Sequence, residues 1–153
     1  MTIEDKMQAE AEAQRTQIEA AQTQTSRQAE KARTELQELR PRLAKALADH
    51  AMGEGTRATV TRIKKEIRDC EELLADSAIV LKQFEEEMLR CTKRFRESRN
   101  LRDKRKIFDS LKADFLEGRR VGTKLFADLR LYAKSLSPED VADLEVLLSE
   151  HGA

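Results

Sequence analysis

The sequence predicts an all-α fold, namely an elongated antiparallel coiled-coil helical hairpin followed by a smaller helical C-terminal region. Good helix formers dominate the chain, which has only 5 glycines and 2 prolines in 153 residues. Charged residues make up 38% of it, against about 25% in ordinary globular domains, so its apolar seams must be narrow. Apolar or small residues also recur every seven positions through six heptads, which is typical of coiled-coil packing.

The first hairpin helix is assigned to residues 1–52. Its first half is rich in Ala, Gln, Glu and Thr, whereas its second half has leucines at spacings of three and four, which indicate a helix seam. These leucines are Leu36, Leu39, Leu43 and Leu47. Pro41 lacks a backbone donor, so we expect the helix to kink there or a new helix to start near Arg40.

A turn is predicted directly after the leucine seam, because Gly53 and Gly55 lie on either side of Glu54. A short turn between two seams predicts an antiparallel pair of helices. His50 is placed to cap the last carbonyls of the first helix, and Thr56 or Thr59 to cap the start of the second.

The second hairpin helix, residues 57–117, carries two heptad tracks. The first track is Val60, Ile67, Leu74, Leu81, Met88 and Phe95, and the second is Ile63, Cys70, Ser77, Phe84, Cys91 and Ser98. A continued repeat would place Arg102 and Asp109 in the seam, while the apolar residues move to another face. We therefore expect a register break near residues 97–100, as a kink, an interruption of the helix or a change of packing partner.

The C-terminal helical region is assigned to residues 119–153. Gly118 and Gly122 are expected to interrupt the helix around Arg119 and Arg120. Ser137 suits an N-cap and is followed by proline and two acidic residues, which favour a new helix there. Gly152 is expected to end that helix.

The two hairpin seams are not equally apolar along their length. If residue i faces residue 107 − i, four large apolar side chains of the second helix face a polar stretch of the first. They are Leu81, Phe84, Met88 and Phe95. Burying such a side chain is worth about 1.5–3 kcal/mol, so we expect the C-terminal helices, a second copy in a homo-oligomer, or both to cover them.

A basic segment follows at residues 93–106, and it contains eight basic and two acidic residues. They are Lys93, Arg94, Arg96, Arg99, Arg102, Lys104, Arg105 and Lys106. They scatter around the helical wheel, so we expect the segment to protrude or to cross between the hairpin and the C-terminal helices. Three contacts are considered, in order of preference: the acidic C-terminal helix, an acidic patch on a protein partner, and nucleic acid. A membrane is least favoured, since apolar residues are sparse.

The sequence contains no pattern that predicts a catalytic, cofactor or metal site. Cys70 and Cys91 are about 30 Å apart if they lie on one helix, and we interpret them as core residues. The lack of an export signal predicts a cytoplasmic protein. The predicted function is a non-enzymatic assembly, adaptor or structural protein acting through helix–helix interfaces. The alternatives are a nucleic-acid-associated protein using residues 93–106 and a membrane-associated helical-hairpin polymer.

Overall fold

The computed structural model describes residues 1–118 and 122–151, and in these residues it contains helices and no strand. The helices are α1 (Ile3–Ala51), α2 (Arg57–Leu116), α3 (Thr123–Leu136) and α4 (Pro138–Glu150). The long helices α1 and α2 pack together as an all-α hairpin, which confirms the predicted fold class. Among the described residues, no helix has both the length and the apolar character needed to cross a membrane.

The predicted turn between α1 and α2 is confirmed. Gly53 has φ 75°, a left-handed conformation that glycine adopts without steric cost. The Gly55 amide donates to the carbonyl of Asp49 at 3.2 Å, and a Cβ on Gly55 would lie 3.2 Å from the His50 nitrogen. His50 Nδ1 lies 3.3 Å from the Gly55 carbonyl, so its ring contacts the turn rather than the last helical carbonyls.

Both long helices continue through the places where a kink or an interruption was expected. Pro41 is an interior residue of α1, so no new helix starts near Arg40. Likewise α2 continues through residues 97–100 up to Leu116. Beyond that point Leu101 and Phe108 join a core that also contains α3 and α4, so the packing environment of the helix changes while the helix itself does not end.

The chain divides into two compact units. The first, called here the turn unit, is Arg15–Leu89. Its core contains residues from both helices, namely Ala32, Leu36, Leu39, Ile63 and Cys70. Leu47, which was predicted to lie in the seam, is 43% exposed. It shares the face of Leu36 and Leu43 but lies near the end of α1.

The second unit, called the four-helix unit, comprises Met1–Gln14 and Arg90–Ala153. Its core is Phe108, Leu125, Leu129, Ala133, Leu136, Leu144 and Leu148. Phe115 packs edge-on against Phe126 at 5.5 Å between ring centroids, which fixes the end of α2 against α3. The predicted roles of Arg119, Arg120 and Gly152 fall outside the described residues.

The start of α4 is capped as predicted. The backbone N–H of Asp140 donates to the Ser137 hydroxyl oxygen at 3.1 Å, and Pro138 occupies the first helical position. The cap places the Asp140 carboxylate at the positive end of the helix dipole. This position brings Asp140 to the basic segment of α2.

Candidate interaction surfaces

Arg105 joins three helices within the four-helix unit. Its Nη1 and Nη2 donate to the two carboxylate oxygens of Asp140 on α4, at 2.9 and 3.0 Å. Its Nε and Nη2 also donate to the Glu4 carboxylate on α1, with Nη2 at 3.2 Å from Oε2. The Glu4 side chain is only 2% exposed. Arg105 therefore balances the charge of a buried carboxylate and holds α4 against the start of α1.

This arrangement favours the ionised form of Asp140. The hydrogen bonds from Arg105 lower the pKa of Asp140, and a hydrogen bond from Ser137 adds to the effect, while partial burial opposes it. The bond from the Ser137 hydroxyl is 2.5 Å long. The cap of α4 and the ion pair to α2 thus share one carboxylate.

Two more arginines of the basic segment turn toward α1. Arg102 donates to Asp5 at 3.2 Å and to Gln8 at 2.6 Å, and Arg94 donates to Gln14 at 2.8 Å. Hydrogen bonds from Thr2 are the main reason why the pKa of Asp5 is lowered, and Arg102 contributes further. One side of the basic segment is therefore bonded to α1 through Arg94, Arg102 and Arg105, and Arg105 also reaches α4.

The other five cations of the segment, together with Arg90 just before it, share the opposite side of α2. These six side chains are exposed on the half of the helix turned away from α1, and we call them the basic face. They are Arg90, Lys93, Arg96, Arg99, Lys104 and Lys106. Ile107, which is 45% exposed, lies on the same side. The segment is thus divided into inward arginines that hold the unit together and outward cations that face solvent.

The four large apolar residues that were expected to lack cover are half-buried within the single chain. Leu81, Phe84 and Met88 are half-buried in the turn unit, and Phe95 is half-buried in the four-helix unit. The polar stretch of α1 supplies part of this cover through buried apolar positions of its own, at Ala11, Ile18 and Ala29. The four side chains are only partly covered within one chain, so further cover by a second copy stays a prediction.

The turn unit carries an open groove between α1 and α2, called here the acidic groove. One cleft of about 390 Å³ is lined by the carboxylates Glu35, Glu38, Glu66 and Asp69 together with Arg42. A second cleft of about 320 Å³ shares Glu35 and extends along Lys31 to Leu73.

Leu73 and Val80 form an apolar stripe on the groove side of α2. They are 41% and 39% exposed and lie one heptad apart, with exposed Asp76 between them on the same side of the helix. The groove thus offers apolar contact area bordered by negative charge.

Both cysteines are free thiols in the interior, as the sequence interpretation expected. Cys70 Sγ lies 3.4 Å from Glu35 Oε2. Burial, followed by the neighbouring Glu35, raises the pKa of the Cys70 thiol, which makes it less nucleophilic. Among the described residues, no cluster of three or more His, Cys, Asp and Glu side chains is arranged to hold a metal ion.

Comparison of the chain with protein-family models, with curated proteins and with solved structures finds no match.

Sequence reasoning missed the partners of Arg105, although a signal was present. Arg105 continues the heptad track that runs through Cys91 and Ser98, and Glu4 precedes Ala11 and Ile18 by multiples of seven. Because Arg105 and Glu4 carry opposite charges and each continues a seam track of its own helix, the pattern indicates a buried ion pair between them. The signal was lost because the seam was assumed to end where its apolar residues end.

Proposed function

We propose that this chain is a non-enzymatic assembly or adaptor protein that acts through helix–helix interfaces. The observation that carries the proposal is the apolar stripe of Leu73 and Val80, which lies open beside a groove in the turn unit. A helical groove with exposed apolar residues at heptad spacing suits an amphipathic helix, whose apolar residues repeat at the same spacing. Assembly with protein partners and with further copies of the chain is part of the proposal.

The four-helix unit supports a structural role for the rest of the chain. Its core and the Arg105 ion pairs join its helices to one another. The two free cysteines suit a reducing compartment, and we include a cytoplasmic location in the proposal.

Site-specific photo-crosslinking in living cells tests the proposed function. A benzophenone amino acid placed at Leu73 or Val80 is expected to form adducts with protein. The matched control carries the same group at Glu71, an exposed position about 150° around α2 from the stripe. Adducts at the stripe positions and none at Glu71 would support the proposal. No adducts at any of them, or equal yields at all three, would contradict it.

The basic face favours one second candidate, an association with nucleic acid. Its six exposed cations on one side of α2 are the groups that phosphate binding requires. A gel-shift with mixed DNA and RNA should then show binding that weakens steeply with salt and disappears in the double variant Arg96→Glu, Arg99→Glu. No shift at low salt would remove this candidate.

A further inference from the structure

We propose that the acidic groove of the turn unit binds the basic face of the four-helix unit of a second copy of this chain. The inference rests on the proposed function, since it names the partner that covers the apolar stripe. The proposed contact joins two chains, of which one contributes its acidic groove and the other its basic face.

The first argument is charge complementarity within one sequence. The clefts of the groove are lined by four carboxylates, Glu35, Glu38, Glu66 and Asp69, against the cations Lys31 and Arg42. The basic face carries six exposed cations. Each copy therefore offers both an acidic and a basic surface.

The second argument is that neither surface is tightly paired within its own unit. In the groove, Glu35 lies 3.9 Å from Lys31 and Glu66 lies 3.9 Å from Arg62, and such long, exposed pairs contribute little. In the four-helix unit, the acidic partners Glu4, Asp5 and Asp140 are bonded to Arg102 and Arg105, on the inward side of α2. The outward cations remain exposed to solvent and available to a second chain.

The third argument is shape. The basic face belongs to an α-helix, and the groove between two helices accepts a third helix by the ridges-into-grooves packing common to bundles. Ile107 lies exposed among the cations, and it supplies an apolar contact for Leu73 or Val80. Apolar contact gives affinity, and the surrounding charges fix orientation and accelerate encounter.

Each copy carries one groove and one basic face, so the contact joins unlike surfaces. Such heterologous contacts generate rings or open chains of copies rather than being limited to pairs. The charges are exposed, and the Debye length falls from about 30 Å at 0.01 M salt to about 8 Å at 0.15 M. Self-association should therefore be strong at low salt and weaken as salt rises.

Charge reversal in the full chain, measured by size-exclusion chromatography with light scattering, tests the contact. The groove variant is Glu66→Lys with Asp69→Lys, and the face variant is Arg96→Glu with Arg99→Glu. At low salt, each alone should weaken self-association at least tenfold. The control, Glu71→Lys with Glu85→Lys, makes the same charge change on the opposite side of the same helix and should associate as the unaltered chain does. Circular dichroism confirms that each variant is folded.

Mixing the two variants gives the decisive result. The groove variant keeps its basic face and the face variant keeps its acidic groove, so an equimolar mixture should form a complex that neither forms alone. A chain carrying all four reversals should associate with itself again. The proposal is overturned if the mixture stays monomeric, or if the control variant loses self-association as the groove variant does. It is also overturned if the unaltered chain is monomeric at low salt. If crosslinks at Leu73 nevertheless join another protein, the proposed function stands and this inference fails.

Discussion

Arg105 is bonded to two carboxylates on two other helices of the four-helix unit. Removing one member of a buried ion pair leaves an uncompensated charge and costs about 3–5 kcal/mol. We therefore expect Arg105→Ala to lower the free energy of unfolding by about that amount, as measured by urea denaturation.

A matched exposed pair provides the control for Arg105. Arg130 donates to Glu145 at 2.8 Å, but both side chains are about half exposed. Exposed pairs contribute about 0–1 kcal/mol, so Arg130→Ala should change little. Equal losses in the two variants would mean that the Arg105 cluster is no more important than a surface pair.

The ion pair of the Asp140 carboxylate makes the stability of the fold depend on pH. Its pKa is lowered in the folded chain, so its contribution is fully present above the ordinary aspartate value of about 3.9 and is lost as pH falls through the lower folded value. The stability difference between the unaltered chain and Asp140→Asn should stay constant from pH 7 to about pH 5 and shrink below about pH 4. A difference that shrinks already between pH 7 and pH 6 would contradict this assignment.

At the scale of single elements, the hairpin in the turn unit predicts a specific distance. Leu43 and Ile67 pack against the same core cluster on opposite helices, so spin labels at Leu43 and Lys64 should be close to one another. The control pair, Lys64 and Glu85, has the same separation of 21 residues along the uninterrupted α2 and should give roughly 30 Å. Equal distances for the two pairs, in a sample diluted with unlabelled chain, would show that residues 43–64 form a continuous rod.

The elements were predictable to the extent that local patterns fix them. The glycines at 53 and 55 and the serine at 137 determine a turn and a cap by short-range geometry, and sequence was sufficient for both. Pro41 was a weaker signal. No new helix starts near Arg40, because α1 continues through Pro41, and the kink expected there stays a prediction.

The candidate surfaces were only partly predictable, since they depend on which face of a helix is covered. Sequence identified the cations of residues 93–106 but not their division into inward arginines and an outward basic face, which requires the positions of Glu4, Asp5 and Asp140. The apolar stripe was missed because Leu73 and Val80 lie outside both heptad tracks.

At the scale of the whole molecule, the segregation of charge along a neutral chain is the feature that links the structure to the proposed function. The acidic and basic surfaces belong to different units, each with its own core. Charge separation of this kind favours association between copies at low salt and lets salt regulate it.

Sedimentation equilibrium of the unaltered full chain at low and at physiological salt tests this central claim most directly. The account predicts an average mass above that of the monomer at micromolar concentration and low salt, rising with concentration and falling toward the monomer mass as salt is added. A mass that stays at the monomer value at every concentration and salt, or an oligomer whose mass does not respond to salt, would contradict it.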